Sequence, residues 1–524
     1  HVHPMLDPTF NPGFNVAVTN VHEAGASNGN GKLDVGEKLA LTLNLADDSG
    51  GAIPTASVPS LSVVVTGPTT NRNLLLSATI PAAVLAGAPP WNVDVPDVVN
   101  LEPLGASTAT TGDVFTTART PVWNVTGAVP TVFVRTATGV ATTLLAAAPA
   151  LQNFVDVASS TGFLRNDYIV VDDGVAGAAE YLRVQLVEGN RLWFAAAATA
   201  GYQPGLRVAH AAAAAVTKVI LAAKVLNTDY TLAAATGTIS EVTEFGAGAA
   251  VLATYTTDFV VPAVYGPPLN DSPDLGQDVG KWKGLPLVPG TYTVGVWGSR
   301  TLSLALNGEM NSYRATSPPA TVDFLVGTAT TIAPAAIVSS GATCQSCHVD
   351  VYAHGGSRRG LETCLLCHGG AGMEDRPRYV AAAAPATPRL SAEFRSMLHK
   401  IHRGSDLPDA ATYGVVGFGA GAYPNNFGVV SFSDVEFPAM PAGVKSCRAC
   451  HGASDAWQSP ADRSHPTAAT VPARSWTMAC GSCHDSVAES AHIDIMTSSA
   501  GEESCAVCHG PGTDLSTELA HRVR

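Results

Sequence analysis

All ten cysteines of this 524-residue chain lie after residue 340, and every one belongs to a Cys-x-x-Cys-His unit. The five units are Cys344-Gln-Ser-Cys347-His348, Cys364-Leu-Leu-Cys367-His368, Cys447-Arg-Ala-Cys450-His451, Cys480-Gly-Ser-Cys483-His484 and Cys505-Ala-Val-Cys508-His509. Two thiols at this spacing can each add to one vinyl group of a haem, and the histidine that follows then sits under the iron. The pattern predicts five covalently attached c-type haems, with His348, His368, His451, His484 and His509 as proximal iron ligands.

Two other chemistries use paired cysteines. Zinc ribbons need the pairs in twos, and five is odd; they also have no use for a histidine after every second cysteine. Disulfides in an exported protein account for an even number of cysteines but not for the histidines. With 15 histidines in 524 residues, composition alone does not place one after all five pairs.

The sixth iron position decides between carriage and catalysis, because an open haem can bind substrate while a bis-histidine haem passes electrons. Outside the motifs the C-terminal third holds His354, His399, His402, His465, His492 and His521, six candidates for five irons. The preceding 339 residues hold only His1, His3, His22 and His210. His399 and His402, in Phe394-Arg-Ser-Met-Leu-His-Lys-Ile-His402, are three apart on an expected helix and would serve two adjacent haems. His354 and His492 fall in expected loops close to a motif. His465 and His521 compete for the last place. Met373, Met397, Met440, Met478 and Met496 read as packing residues.

The elements that must position these groups divide in two. Residues 1–339 contain no cysteine and read as all-β, sandwich-like modules; residues 336–524 read as a haem-packed domain with short helices and little regular structure. Expected modules span 1–115, 116–258 and an immunoglobulin-like 259–335, the last carrying the alternating Pro289-Gly-Thr-Tyr-Thr-Val-Gly-Val-Trp297. Hairpin turns are expected at Asp173-Gly174 and Gly189-Asn190. The composition agrees: 46% hydrophobic, 14% charged and rich in glycine and proline suits turn-rich β modules rather than solvated helices.

A formal net charge of -14 opposes nucleic-acid binding, which needs lysine and arginine at phosphates. No run of 18 apolar residues predicts a membrane span. The chain opens at His1 without an initiator methionine or an N-terminal cysteine, and is expected to be a mature exported chain, extracellular or at a cell surface. One N-terminal segment has metal-loop spacing: Asn28, Asn30, Lys32, Asp34 and Glu37 match positions 3, 5, 7, 9 and 12 of an EF-hand-type loop, with Ala26 at position 1. It predicts a weak calcium site, or else a polar turn.

Several segments together resemble the pentahaem module of the OmcA/MtrC family: His354-Gly-Gly, Leu398-His-Lys-Ile-His-Arg-Gly404, Glu436-Phe-Pro before the third motif, and Ser504-Cys-Ala-Val-Cys-His-Gly510. The similarity covers about residues 340–524. That family consists of extracellular multihaem cytochromes that pass electrons to minerals, electrodes or partner proteins, typically with two such modules where this chain has one. The resemblance implies bis-histidine ligation through His354, His399, His402 and His492.

The expected function is extracellular electron transfer through five closely packed bis-histidine haems of low potential, with other redox proteins or extracellular acceptors as partners. A polymeric filament is a further expectation, with His1 or His3 reaching a neighbouring subunit's iron. The alternative is a multihaem terminal reductase of metals or small oxyanions, which needs an open iron beside an acid–base pocket.

Overall fold

A computed structural model describes residues 7–175, 177–194, 205–268, 280–306, 309–336, 339–373, 391–418, 427–438, 443–467 and 472–522. The N-terminal two-thirds are built of β-sheets with two single 3-10 turns, and among the described residues the α-helices all lie after residue 340. The chain forms two compact units, one of His1–Val64, Leu76–Pro267 and Val296–Ser317, the other of Val65–Leu75, Pro268–Gly295 and Pro318–Arg524.

In the first unit a six-stranded sheet runs in the order Glu180–Arg183, Tyr168–Asp172, Ala215–Lys224, Thr131–Thr143, Ala250–Asp258, Pro96–Ala106. Tyr168-Ile-Val-Val-Asp shows why its central strands are apolar on successive residues. Side chains alternate across a strand, so Ile169 and Val171 enter a core with Leu182, Leu192, Phe194 and Val216. Val170 enters another with Leu101, Tyr181, Val219 and Leu252. A strand covered on both faces needs no polar alternation. A third core gathers Phe115, Val132, Tyr230, Ile239 and Tyr255.

The strand Pro96–Ala106, expected in the module 1–115, thus lies in one sheet with five strands from 116–258. Hydrogen bonding between distant segments leaves no local trace from which that pairing could be read.

The two expected turns differ in form. Leu186–Glu188 and Arg191–Trp193 pair with Glu188 opposite Arg191, a two-residue hairpin at Gly189-Asn190 with Gly189 at φ +55, where a side chain would be strained. Around Asp173-Gly174 the strands also pair antiparallel, but Val171 faces Glu180 across a longer loop.

A five-stranded sheet joins Glu309–Thr316, Gly290–Leu306, Ser60–Gly67 and Asn73–Pro81 in that order, and Ala320–Val326 also pairs with Gly290–Leu306. In Gly290–Leu306 the residues Tyr292, Val294 and Val296 are fully buried, and the intervening Thr291 and Thr293 are nearly so. Thr293 satisfies its hydroxyl on Asp323 at 2.7 Å.

Among the described residues the second unit carries eight short α-helices: α1 (Gly341–Gln345), α2 (Leu361–His368), α3 (Phe394–Arg403), α4 (Cys447–His451), α5 (Ser475–Cys480), α6 (Val487–Ile495), α7 (Ala506–His509) and α8 (Thr517–Ala520). Gly295 lets α2 approach its strand, since a Cβ there would collide with Leu366. Among the described residues no helix is long and apolar enough to cross a membrane.

Candidate haem-binding site

Each Cys-x-x-Cys-His unit winds into a helical turn. The amide of His348 donates to the Cys344 carbonyl at 2.9 Å, His484 to Cys480 at 3.0 Å and His509 to Cys505 at 2.9 Å. The other two motifs lie within α2 and α4. Residues three and four apart share a helix face, so both sulfurs and the imidazole are presented to one side. That is the geometry a porphyrin edge with two vinyl groups requires.

Burial makes thiolate unfavourable at these cysteines. It pushes Cys364, Cys367 and Cys483 up to about 11 and Cys480 to about 12. Such environments suit a neutral thioether better than a zinc thiolate or a reactive dithiol. Among the described residues, no three of His, Cys, Asp and Glu converge on a point that could hold a single metal ion.

Every motif histidine faces a second imidazole. The ring-centre separations are 6.2 Å for His348–His402, 6.1 Å for His354–His368, 6.1 Å for His399–His451, 6.1 Å for His484–His521 and 6.2 Å for His492–His509. Two imidazole–metal bonds of about 2 Å, with about 1 Å from each nitrogen to its ring centre, add to about 6 Å. The residues present therefore fit an iron between each pair of rings.

Hydrogen bonds hold the rings in the ligating tautomer. Nδ1 of His368 donates to the Ala392 carbonyl at 2.9 Å, His402 to Leu398 at 2.9 Å, His509 to Leu515 at 3.0 Å and His521 to Thr517 at 2.9 Å. A carbonyl can only accept, so the proton sits on Nδ1 and the Nε2 lone pair is left for a metal. His484 Nδ1 is bound instead by the Glu489 carboxylate at 2.7 Å. The Ser486 hydroxyl and His484 together hold Glu489 down to about 2. Burial lowers His399 to about 4 and also lowers His354 and His368, favouring the neutral ring that binds iron.

Local structure explains the positions. His399 and His402 lie on α3, the expected helix, with their rings opposite His451 and His348 respectively. The helix stops at Gly404, with φ +47, where a Cβ would run into the Val435 carbonyl. Its start is fixed by Glu393, fully buried and paired with Arg463 at 2.7 Å and with Arg395.

His354 occupies the turn between Tyr352–Ala353 and Arg358–Arg359 at φ +52, ahead of Gly355 and Gly356, both also at positive φ. A non-glycine residue held there is uncommon and marks a constrained site. His492 differs from expectation in lying on a helix, α6, whose capping box pairs Ser486 with Glu489.

Of the two candidates for the last place, His465 meets no motif histidine among the described residues. It is 4% exposed, with Nε2 on the Pro286 carbonyl at 2.9 Å, Nδ1 accepting from the Thr467 hydroxyl at 3.0 Å, and its ring 4.7 Å from Trp282. Both nitrogens are engaged in packing the second unit, while His521 takes the place opposite His484. His1 and His3 lie outside the described residues, as does Met440.

The calcium-loop residues gather as a hydrogen-bonded turn. Asp34 accepts from the side-chain amides of Asn28 and Asn30 at 2.7 and 2.9 Å, and Glu37 accepts from the backbone of Asn28 and Asp34. Lys32 donates its backbone N–H to Asn30 at 2.8 Å and to Glu23 at 3.0 Å. Glu23, not anticipated from the loop spacing, also binds the amides of Gly29 and Gly31.

Serial Cys-x-x-Cys-His turns with opposed histidines, behind β-sheet segments, define a multihaem c-type cytochrome. Residues 336–522, about a third of the chain, match the family model described as outer membrane cytochrome MtrC/MtrF-like, domains II/IV, and this part of the chain is similar to that family of multihaem c-type cytochromes. No curated protein matches the chain. Among solved structures, MtrC from Shewanella baltica OS185 aligns at 14% identity and a TM-score of 0.23, over 81% of this chain and 44% of that one. The chain thus spans less than half the length of that protein.

Proposed function

We propose that this protein is an extracellular electron conduit with five bis-histidine c-type haems and no substrate-binding iron. Haem iron supplies one-electron carriage between its ferric and ferrous states. The observation that carries the reading is that all five motif histidines have an opposing imidazole at 6.1–6.2 Å. We assign the ligand pairs as His348/His402, His368/His354, His451/His399, His484/His521 and His509/His492. An open iron, which the reductase alternative needs, has no place in this set.

The proposed path follows the proximity of the attachment sites. Burial first, and then the charge of a neighbouring cysteine, raises the Cys364 thiol (neighbour Cys344), Cys450 (Cys344 and Cys347) and Cys480 (Cys505 and Cys447), which is consistent with these motifs being neighbours. Ser339 beside the first motif also donates to the Cys450 carbonyl at 2.7 Å. The order in space is therefore second, first, third, fourth, fifth, with α3 bridging the first and third through His402 and His399.

Because one chain supplies both imidazoles at each iron, a ligand from His1 or His3 of a second copy is not part of the proposal. A homopolymer would form through surface contacts, and light scattering of the concentrated protein decides whether it does. We place the start of the haem domain near residue 336 and read the β region as its carrier. Calcium at Asn28, Asn30, Lys32, Asp34 and Glu37 is proposed as a weak structural site; calorimetry without heat on calcium addition removes it.

The central test is electron paramagnetic resonance of the oxidised, haem-loaded protein, with haem number from intact mass. Five haems, all low-spin, are expected. A substoichiometric haem count or a high-spin ferric signal would overturn the proposal.

A further inference from the structure

We infer that Glu489 sets the potential of the haem attached at Cys480 and Cys483 by binding the Nδ1 proton of its ligand His484. The inference rests on the bis-histidine reading above and adds a residue to it.

Four other ring nitrogens, on His368, His402, His509 and His521, donate to neutral backbone carbonyls. His484 donates at 2.7 Å to a carboxylate. A charge-assisted bond of this length draws the proton further from the ring and makes the opposite nitrogen a stronger donor. Stronger donation stabilises ferric over ferrous iron, so the potential falls.

The carboxylate is placed by the fold. Ser486 and Glu489 form the capping box of α6, with Glu489 Oε2 taking the Ser486 amide and hydroxyl at 3.1 and 2.6 Å. Its Oε1 is thereby left pointing at His484. The residue has two separable roles, one in the cap and one at the imidazole. His484 and Glu489 are both close to half exposed, so bulk solvent screens the charge at longer range, and the hydrogen bond itself must transmit the effect.

In the proposed order this haem is the fourth along the path, between the haems of the third and fifth motifs. A lowered potential there makes it an uphill step that slows passage to and from the fifth haem.

The test uses the full haem-loaded chain in three forms. Glu489→Gln keeps a capping box, since glutamine serves at that position, but replaces the carboxylate by a neutral amide. Ser486→Ala weakens the cap and keeps the carboxylate on His484. Spectroelectrochemical titration of E489Q is expected to make one haem of five about tenfold easier to reduce, which is about 59 mV for one electron. One of the five low-spin resonance signals should shift with it. S486A, in which the Ser486 amide still holds Glu489 Oε2, should shift neither readout by as much as E489Q does.

Five unchanged midpoints in E489Q, or the same shift in S486A, would overturn the inference while the bis-histidine reading stands. A high-spin signal in the unaltered protein would instead overturn that reading and this inference with it.

Discussion

His465 and His521 are equal candidates on sequence grounds, and the structure puts His521 opposite His484 and His465 against Trp282, so one pair of variants separates the roles proposed for them. His521→Ala removes the imidazole 6.1 Å from His484 from a partly exposed position at the end of a four-residue helix, where truncation costs little stability. One iron of five then loses its sixth ligand, so about one-fifth of the ferric signal should turn high-spin, and added imidazole should reverse it. His465→Ala should leave all five irons low-spin.

Its cost is in packing. It removes the hydrogen bonds to the Pro286 carbonyl and the Thr467 hydroxyl, both on exposed residues that water can reach, at about 0.5–1.5 kcal/mol each. It also deletes the edge contact with Trp282, worth about 0.5–1.5 kcal/mol. Together these give about 2–4 kcal/mol, seen as a lower denaturant midpoint for the second unit. Resonance spectra and denaturation curves of both variants make the assay. High-spin iron in H465A, or none in H521A, refutes the assignment.

Three further expectations follow from the same geometry. His399→Ala and His402→Ala, three residues apart, should open different haems, so the double variant should show twice the high-spin fraction of either single one. The His354–His368 planes are 20° apart, whereas the other four pairs lie between 58° and 87°. Near-parallel rings split the iron d orbitals more, so one signal in five should be markedly more rhombic and should vanish in His354→Ala. Glu393→Ala leaves Arg463 and Arg395 charged and partly buried without their carboxylate; a loss of about 1–3 kcal/mol is expected, read from the denaturant midpoint of the second unit.

Sequence alone carried the covalent chemistry. The spacing of two thiols and a histidine is a local constraint, because one helical turn must meet one porphyrin, and it is written in five consecutive residues. The β character of the N-terminal region was legible for the same reason: apolar alternation and turn residues act over a few positions. The i, i+3 spacing of His399 and His402 likewise announced the helix that carries both rings.

Tertiary structure decided what depends on distant segments meeting. Nothing local distinguishes His521, on a four-residue helix, from His465, whose partners Pro286 and Trp282 lie about 180 residues earlier in the chain. Nor does strand propensity reveal that Pro96–Ala106 pairs with Ala250–Asp258. Glu489 had a local signal, the Ser-x-x-Glu capping box, but its second bond to His484 required the turn after Cys483 to fold back on α6. Which chemistry occurs is set by neighbours in sequence. Which imidazole stands opposite each motif histidine, and which carboxylate reaches His484, is set by packing.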